Sequence, residues 1–231
     1  MKYCLLLILI LSACTSQETK VNSHQSNVHY NLALELAQNA LYQNSLDEFT
    51  KAISLDPGNI NAYRKKGLVH FGLKQYDEAE KVALLMTLEF PDHQFPWKLL
   101  GVIFGQTGRK SEAMNASQKA VKLVPHDPQA HNNLGNSFQE LGRFNEAEAS
   151  YKKAISLKGD FTEAHNNLGN IFQKLQRFDE AEASYRQAIL LEANFAGAHN
   201  NLGIVLKKLG RFDEAEASYR QAILLKTDDA G

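Results

Sequence analysis

From Ser26 to Asp229 the chain repeats itself every 34 residues without an insertion. The blocks begin at Ser26, Ile60, Gln94, Pro128, Thr162 and Ala196, so six units occupy 26–59, 60–93, 94–127, 128–161, 162–195 and 196–229. Ala230–Gly231 repeats Ala196–Gly197 and reads as the start of a possible truncated seventh unit at 230–231. A unit this short cannot bury its apolar face alone, so neighbours must stack and stability propagates between them. Only 5 prolines and 14 glycines in 231 residues favour helices. With 44% apolar residues and a formal charge of -1, the chain is neither a disordered tail nor a basic nucleic-acid binder. Its two cysteines, Cys4 and Cys14, precede every repeat, so no disulfide or cysteine metal site staples the body.

The residues within the period carry a recognisable pattern. The third block has Trp97-x2-Leu100-Gly101-x2-Phe104, then Ala113, Ala120 and Pro125. Later blocks carry Leu134, Gly135 and Phe138, then Ala147, Tyr151 and Ala154; the set recurs at Leu168 to Ala188, and at Leu202 to Ala222 with Leu206 in place of the phenylalanine. This pattern resembles the tetratricopeptide repeat, a helix–turn–helix unit, and implies an all-α, right-handed α-solenoid of stacked repeats. The first block departs from it with Ala33 and Ser45, and the second with Lys66 and His70 at positions usually apolar. Small Gly135 and Ala147 are expected to let two helices approach closely. Gly142 and Gly210 sit where a first helix should end. Asn145, Asp179 and Asp213, each with Glu three residues on (Glu148, Glu182, Glu216), are expected to be N-caps with capping-box partners.

At 100° per residue, His131, Leu134, Gly135 and Phe138 share one arc of the fourth block's first helix, and Gln129, Asn132, Asn133, Asn136, Gln139 and Glu140 share the opposite one. In this family the second arc lines a concave groove. Asn166, Asn167 and Asn170, then Asn200 and Asn201, repeat it. Asparagine is a mediocre helix former, and its amide offers a donor and an acceptor suited to peptide backbone. The ladder is similar to that of the nucleocytoplasmic O-linked N-acetylglucosamine transferase, which implies contact with peptide main chain. Duplication of one unit would also copy these asparagines. In the first half the arc carries Tyr30, Arg64, Phe71, Phe95 and Lys98, so Arg64 and Lys98 join the candidate groove as a more basic, aromatic end. Val102, one turn beyond Lys98, stands where a carboxylate clamp needs asparagine.

Lys2 followed by the apolar run Tyr3–Leu11 reads as a signal peptide over residues 1–13, too short to span a bilayer. Leu11-Ser12-Ala13-Cys14 resembles the lipobox of bacterial lipoproteins, which implies cleavage before Cys14 and its acylation, palmitate included. Thr15 rather than aspartate leans, on the enterobacterial pattern, toward the outer membrane, facing the periplasm. Residues 14–25 are polar after the cysteine and are expected to be a flexible tether.

His131, His165 and His199 recur a full repeat apart, too far for one metal ion, and stand where the motif wants a large packing residue. The pairs Glu146/Glu148, Glu180/Glu182 and Glu214/Glu216 recur identically, which suits a solvated face better than a catalytic dyad. No partnered nucleophile or phosphate loop is present, so neither an enzyme nor a cofactor is expected. The expected function is a non-catalytic protein-interaction scaffold tethered to the envelope, similar in architecture to the pilotin-type lipoproteins of type IV pili. The alternative is the repeat part of a larger, truncated glycosyltransferase or sulfotransferase. Self-association through the uncapped last repeat is a third expectation.

Overall fold

The computed structural model describes residues 2–228, with side chains over residues 20–226. Every regular element among the described residues is a helix: α1 Lys2–Gln38, α2 Tyr42–Leu55, α3 Ile60–Gly72, α4 Tyr76–Glu89, α5 Gln94–Gln106, α6 Lys110–Leu123, α7 Pro128–Glu140, α8 Phe144–Leu157, α9 Thr162–Lys174, α10 Phe178–Leu191, α11 Ala196–Lys208 and α12 Phe212–Asp228. Each repeat is one pair of these, and the all-α solenoid of stacked hairpins is what the repeat pattern demands. The chain packs as two units, Met1–Ile103 and Phe104–Gly231.

The turn inside each hairpin is set by one residue at the same repeat position. Ala40, Lys74, Gly108, Gly142, Gln176 and Gly210 all have positive φ, between 58° and 78°. That left-handed residue closes the first helix; in the fourth unit Arg143 N–H then reaches back to Phe138 O at 2.9 Å. Glycine pays least for this conformation, yet half of these positions carry a side chain.

The first unit packs α1 on α2, α2 on α3 and α3 on α4. Its core comprises Ala33, Phe49, Ala52 and Ala62, then Tyr63, Val82 and Met86. The departures of its first two repeats are satisfied locally. Ser45 Oγ donates to Ala33 O at 2.7 Å, so both substitutions serve one helix contact. Ser26, fully buried, donates to Ala52 O and accepts from Asn59 Nδ2, tying α1 to the ends of α2 and α3. Lys66 is half buried with its amine on Thr50 Oγ1, and burial lowers its pKa. His70 holds Gln75 Oε1 through Nδ1 at 2.7 Å.

The second unit stacks α6 through α12 in order, with Phe138, Tyr151, Leu168, Phe172, Tyr185 and Leu206 in a continuous core. Close approach is enforced by glycine, as expected for Gly135. A Cβ on Gly135, Gly169 or Gly203 would lie 2.6, 2.6 or 2.7 Å from the ring of Tyr151, Tyr185 or Tyr219.

Two expectations are corrected here. Residues 15–25 belong to helix α1, not to a tether, because neither proline nor glycine occurs before Gln38 to end it. Asn145 and Asp179 are not caps: Arg143 and Arg177 hold the N-cap positions without side-chain cap bonds, and α8 and α10 begin two residues earlier than a cap at 145 or 179 requires. Asp213 likewise lies inside α12. Among the described residues no helix is long and apolar enough to cross a membrane. The side chain of Cys14, the signal expected over residues 1–13 and the onset of a seventh repeat at 230–231 lie outside the residues whose side chains are described.

Candidate peptide-binding face

In the second unit the tyrosine under each glycine sends its hydroxyl through to the asparagine face. Tyr151 OH donates to Asn136 Oδ1 at 2.6 Å and shares its proton with Gln139 Oε1 at 3.3 Å. Tyr185 OH does the same to Asn170 Oδ1 at 2.8 Å and Gln173 Oε1 at 2.9 Å. Burial pushes both phenols up, so they stay neutral donors.

The asparagines then bond to one another from repeat to repeat. Asn167 Nδ2 donates to Asn132 Oδ1 at 3.2 Å and Asn136 Oδ1 at 3.3 Å. Asn201 Nδ2 donates to Asn166 Oδ1 at 3.2 Å and Asn170 Oδ1 at 3.1 Å. Gln129 Nε2 occupies Asn133 Oδ1. The expectation of eight freely offered amides is corrected accordingly. Asn132 and Asn166 are buried, at 4% and 9% exposure, because the next helix packs its Asn167 or Asn201 against them. The oxygens of Asn132, Asn136, Asn166 and Asn170 are all occupied. Their Nδ2 groups have no acceptor among the described residues. The Asn200 amide has no hydrogen-bond partner among the described residues.

The histidine ladder is structural. His131, His165 and His199 each place Nε2 at 2.9–3.0 Å from a carbonyl six residues earlier, on Pro125, Gly159 and Ala193, so the ring closes the preceding inter-repeat turn. The glutamate pairs divide their labour instead of capping. Glu146, Glu180 and Glu214 hold the arginine three residues before them. Glu148 and Glu182 accept from Arg177 and Arg211 of the next repeat at 2.6 and 2.7 Å. Arg177 also lies 4.4 Å over the Phe172 ring. Desolvation alone would raise the Glu148 carboxyl, but hydrogen bonds from Lys152 and Arg177 outweigh it and hold it below the usual range. In the third repeat Met114 stands where these glutamates do, and Arg143 meets its sulfur at 3.1 Å.

In the first unit Arg64 is exposed and stacks over Phe95 at 4.8 Å, while Lys98 is partly buried on α5. A cleft of about 570 Å³ lies on the same unit, lined by Leu34, Ala37, Tyr42, Phe49, Lys65 and Leu68 among others. Reading helix faces one at a time misses both this cleft and the tyrosine locks. Comparing each repeat position down the six units would have found them, since Leu34 and Leu68 align with Asn136 and Asn170, and Phe49 with Tyr151.

Family models described as tetratricopeptide repeat match residues 26–59 and 160–228, and one described as TPR repeat matches 135–176, together more than half of the chain. Among solved structures the chain is similar to PilW, a widely conserved type IV pilus biogenesis factor, at 22% identity and TM-score 0.76, covering 85% of this chain and 91% of that one. It is similar to pilF of Pseudomonas aeruginosa at 15% identity and TM-score 0.73, covering 85% and 90%. It is also similar to YrrB, a TPR protein with an unusual peptide-binding site, at 18% identity and TM-score 0.59, covering 78% and 93%. No curated protein sequence matches the chain.

Proposed function

The chain is a tetratricopeptide-repeat protein, and on that premise we propose that it is a non-catalytic scaffold that holds partner proteins or peptides on its asparagine face, tethered to the envelope through an acylated Cys14. The observation that carries the reading is the polarity of the amide ladder. Gln129 and the two tyrosine hydroxyls occupy the oxygens of Asn133, Asn136 and Asn170, which leaves their Nδ2 groups on α7 and α9 as donors, and Asn200 adds its amide on α11. An extended peptide supplies backbone carbonyls as acceptors for such a row. The fold shared with pilW-type proteins and the lipobox support an assembly role at the outer membrane, on the periplasmic side.

Affinity capture from the native membrane fraction tests this, with wild-type protein beside an Asn133→Ala/Asn200→Ala variant. Partners retained by the first and lost from the second support the groove; identical sets from both overturn it. Intact mass of the membrane-purified protein tests the anchor. Loss of residues 1–13 together with a gain of acyl chains is expected, and an unacylated protein still carrying residues 1–13 sinks it.

A second reading, self-association, is favoured by the apolar edge of the last hairpin. Phe212 is 66% exposed and Leu224 57%, whereas Phe144 and Phe178, at the same repeat position as Phe212, pack into the core. Sedimentation that stays monomeric across a hundredfold concentration range, roughly 1 to 100 μM by the usual range of weak association, counts against it.

A further inference from the structure

The asparagine face of the second unit has a counterpart of different chemistry in the first. Leu34 and Leu68 replace the asparagines at positions 136 and 170, and Phe49 replaces the tyrosines, without a hydroxyl to send through. The amide–phenol network is therefore absent at these positions. The space it would fill is the apolar cleft of about 570 Å³, where Leu68, Tyr42 and Leu73 remain 42%, 41% and 37% exposed. Its charge is one-sided. The corresponding arc of the first unit, residues 27 to 38 of α1, 61 to 72 of α3 and 95 to 102 of α5 at groove spacing, includes Arg64, Lys65 and Lys98 and no carboxylate. Lys65 lines the cleft itself, is exposed, and has no carboxylate partner among the described residues. Arg64, its neighbour in sequence, is held over Phe95.

We infer that this cleft is a selectivity site that takes one bulky apolar side chain of a partner segment whose flanking residues are acidic. The inference rests on the peptide-binding reading above and names which peptides that reading favours. The apolar side chain removes Leu34, Leu68 and Tyr42 surface from water. The flanking carboxylates meet Lys65 and Arg64, which steers association and rejects basic segments by like charge. The donor row of the second unit, by contrast, reads main chain and is indifferent to side chains.

Fluorescence anisotropy with labelled decapeptides of a Ser/Gly background tests it, using central Leu flanked by Glu, by Gln or by Lys, and a Glu-flanked peptide with central Ala. The Glu-flanked Leu peptide is expected to bind at least about tenfold tighter than the Lys-flanked and Ala-centred ones. Raising salt from about 50 to about 500 mM should weaken it, because these charges are exposed. Lys65→Glu should reverse the charge preference, and Leu68→Ser should erase the preference for Leu over Ala. Both side chains are exposed, so unchanged helical circular dichroism controls for folding. Equal affinity for Glu- and Lys-flanked peptides, a preference that survives Lys65→Glu, or no binding of any peptide overturns the inference. Binding that ignores the flanks yet is lost in Asn133→Ala/Asn200→Ala overturns it while leaving the peptide-binding reading intact. Failure of that reading itself shows separately, in the capture experiment.

Discussion

At single residues, two positions show backbone and side chain trading places. Gly169 faces the Tyr185 ring, and that ring is fully buried with its hydroxyl shared between Asn170 and Gln173. Alanine there gains about 1 kcal/mol of helix propensity but forces a methyl to 2.6 Å from the ring. Overpacking of this kind costs about 1–3 kcal/mol, and the tethered ring cannot swing aside, so a net loss is expected. A lower urea midpoint for Gly169→Ala checks this. Gln176 presents the opposite case, with φ of 59° where Gly142 and Gly210 serve in sister repeats. Gln176→Gly should raise stability by about 0.5–1 kcal/mol, the left-handed penalty outweighing the added freedom of the unfolded chain. An unchanged or lower midpoint would show the turn to be unstrained.

At the scale of helices, the second-unit hairpins are joined by a rung in which an arginine before one second helix reaches the glutamate of the preceding one. Glu148 sits in such a rung at 14% exposure, with its carboxyl held below the ordinary 4.5. A carboxylate with a depressed folded pKa stabilises the protein above about pH 4.5 and loses that contribution as pH falls through the folded value. Glu148→Gln should therefore be less stable than wild type at pH 7, with the difference shrinking toward about pH 3 as wild type protonates. Urea midpoints at both pH values check the sign. A constant difference would assign the loss to packing, not to charge. At the α6–α8 junction Met114 replaces the acceptor, and Met114→Glu should extend the rung and raise the midpoint at pH 7 but not at pH 3. The capping box read from Asn145 and Glu148 fails at this scale for a plain reason: helix α8 starts at Phe144, so Asn145 sits within its first turn and Glu148 beyond it.

For the whole molecule, a chain of repeats is stable to the extent that each hairpin is covered on both sides. Among the described residues helix α12 packs against α11, with Phe212, Ile223 and Leu224 exposed beyond half. Its amides are expected to exchange with deuterium faster than those of α8 and α10, whose Tyr151 and Tyr185 are fully buried. Equal protection in the isolated protein would mean that α12 is covered in solution, which is the outcome self-association predicts.

The sequence by itself determined the repeat, its phase, the all-α hairpin and the close helix approach at Gly135, because a 34-residue period confines every side chain to a column whose burial is shared by its neighbours. The candidate groove was legible as a face for the same reason: Asn132, Asn166 and Asn200 fall on one arc by spacing alone. What only the tertiary structure decided is how that face spends its hydrogen bonds. Whether an amide is free depends on the next repeat, which brings Asn167 within 3.2 Å of Asn132 and buries the oxygen a ligand would have used. The same dependence on neighbours turned Glu148 from an expected cap into a cross-repeat acceptor and left a cleft where Leu34, Leu68 and Phe49 meet. Spacing along one helix fixes direction, while partners are set by the register between helices, and that register is a property of packing.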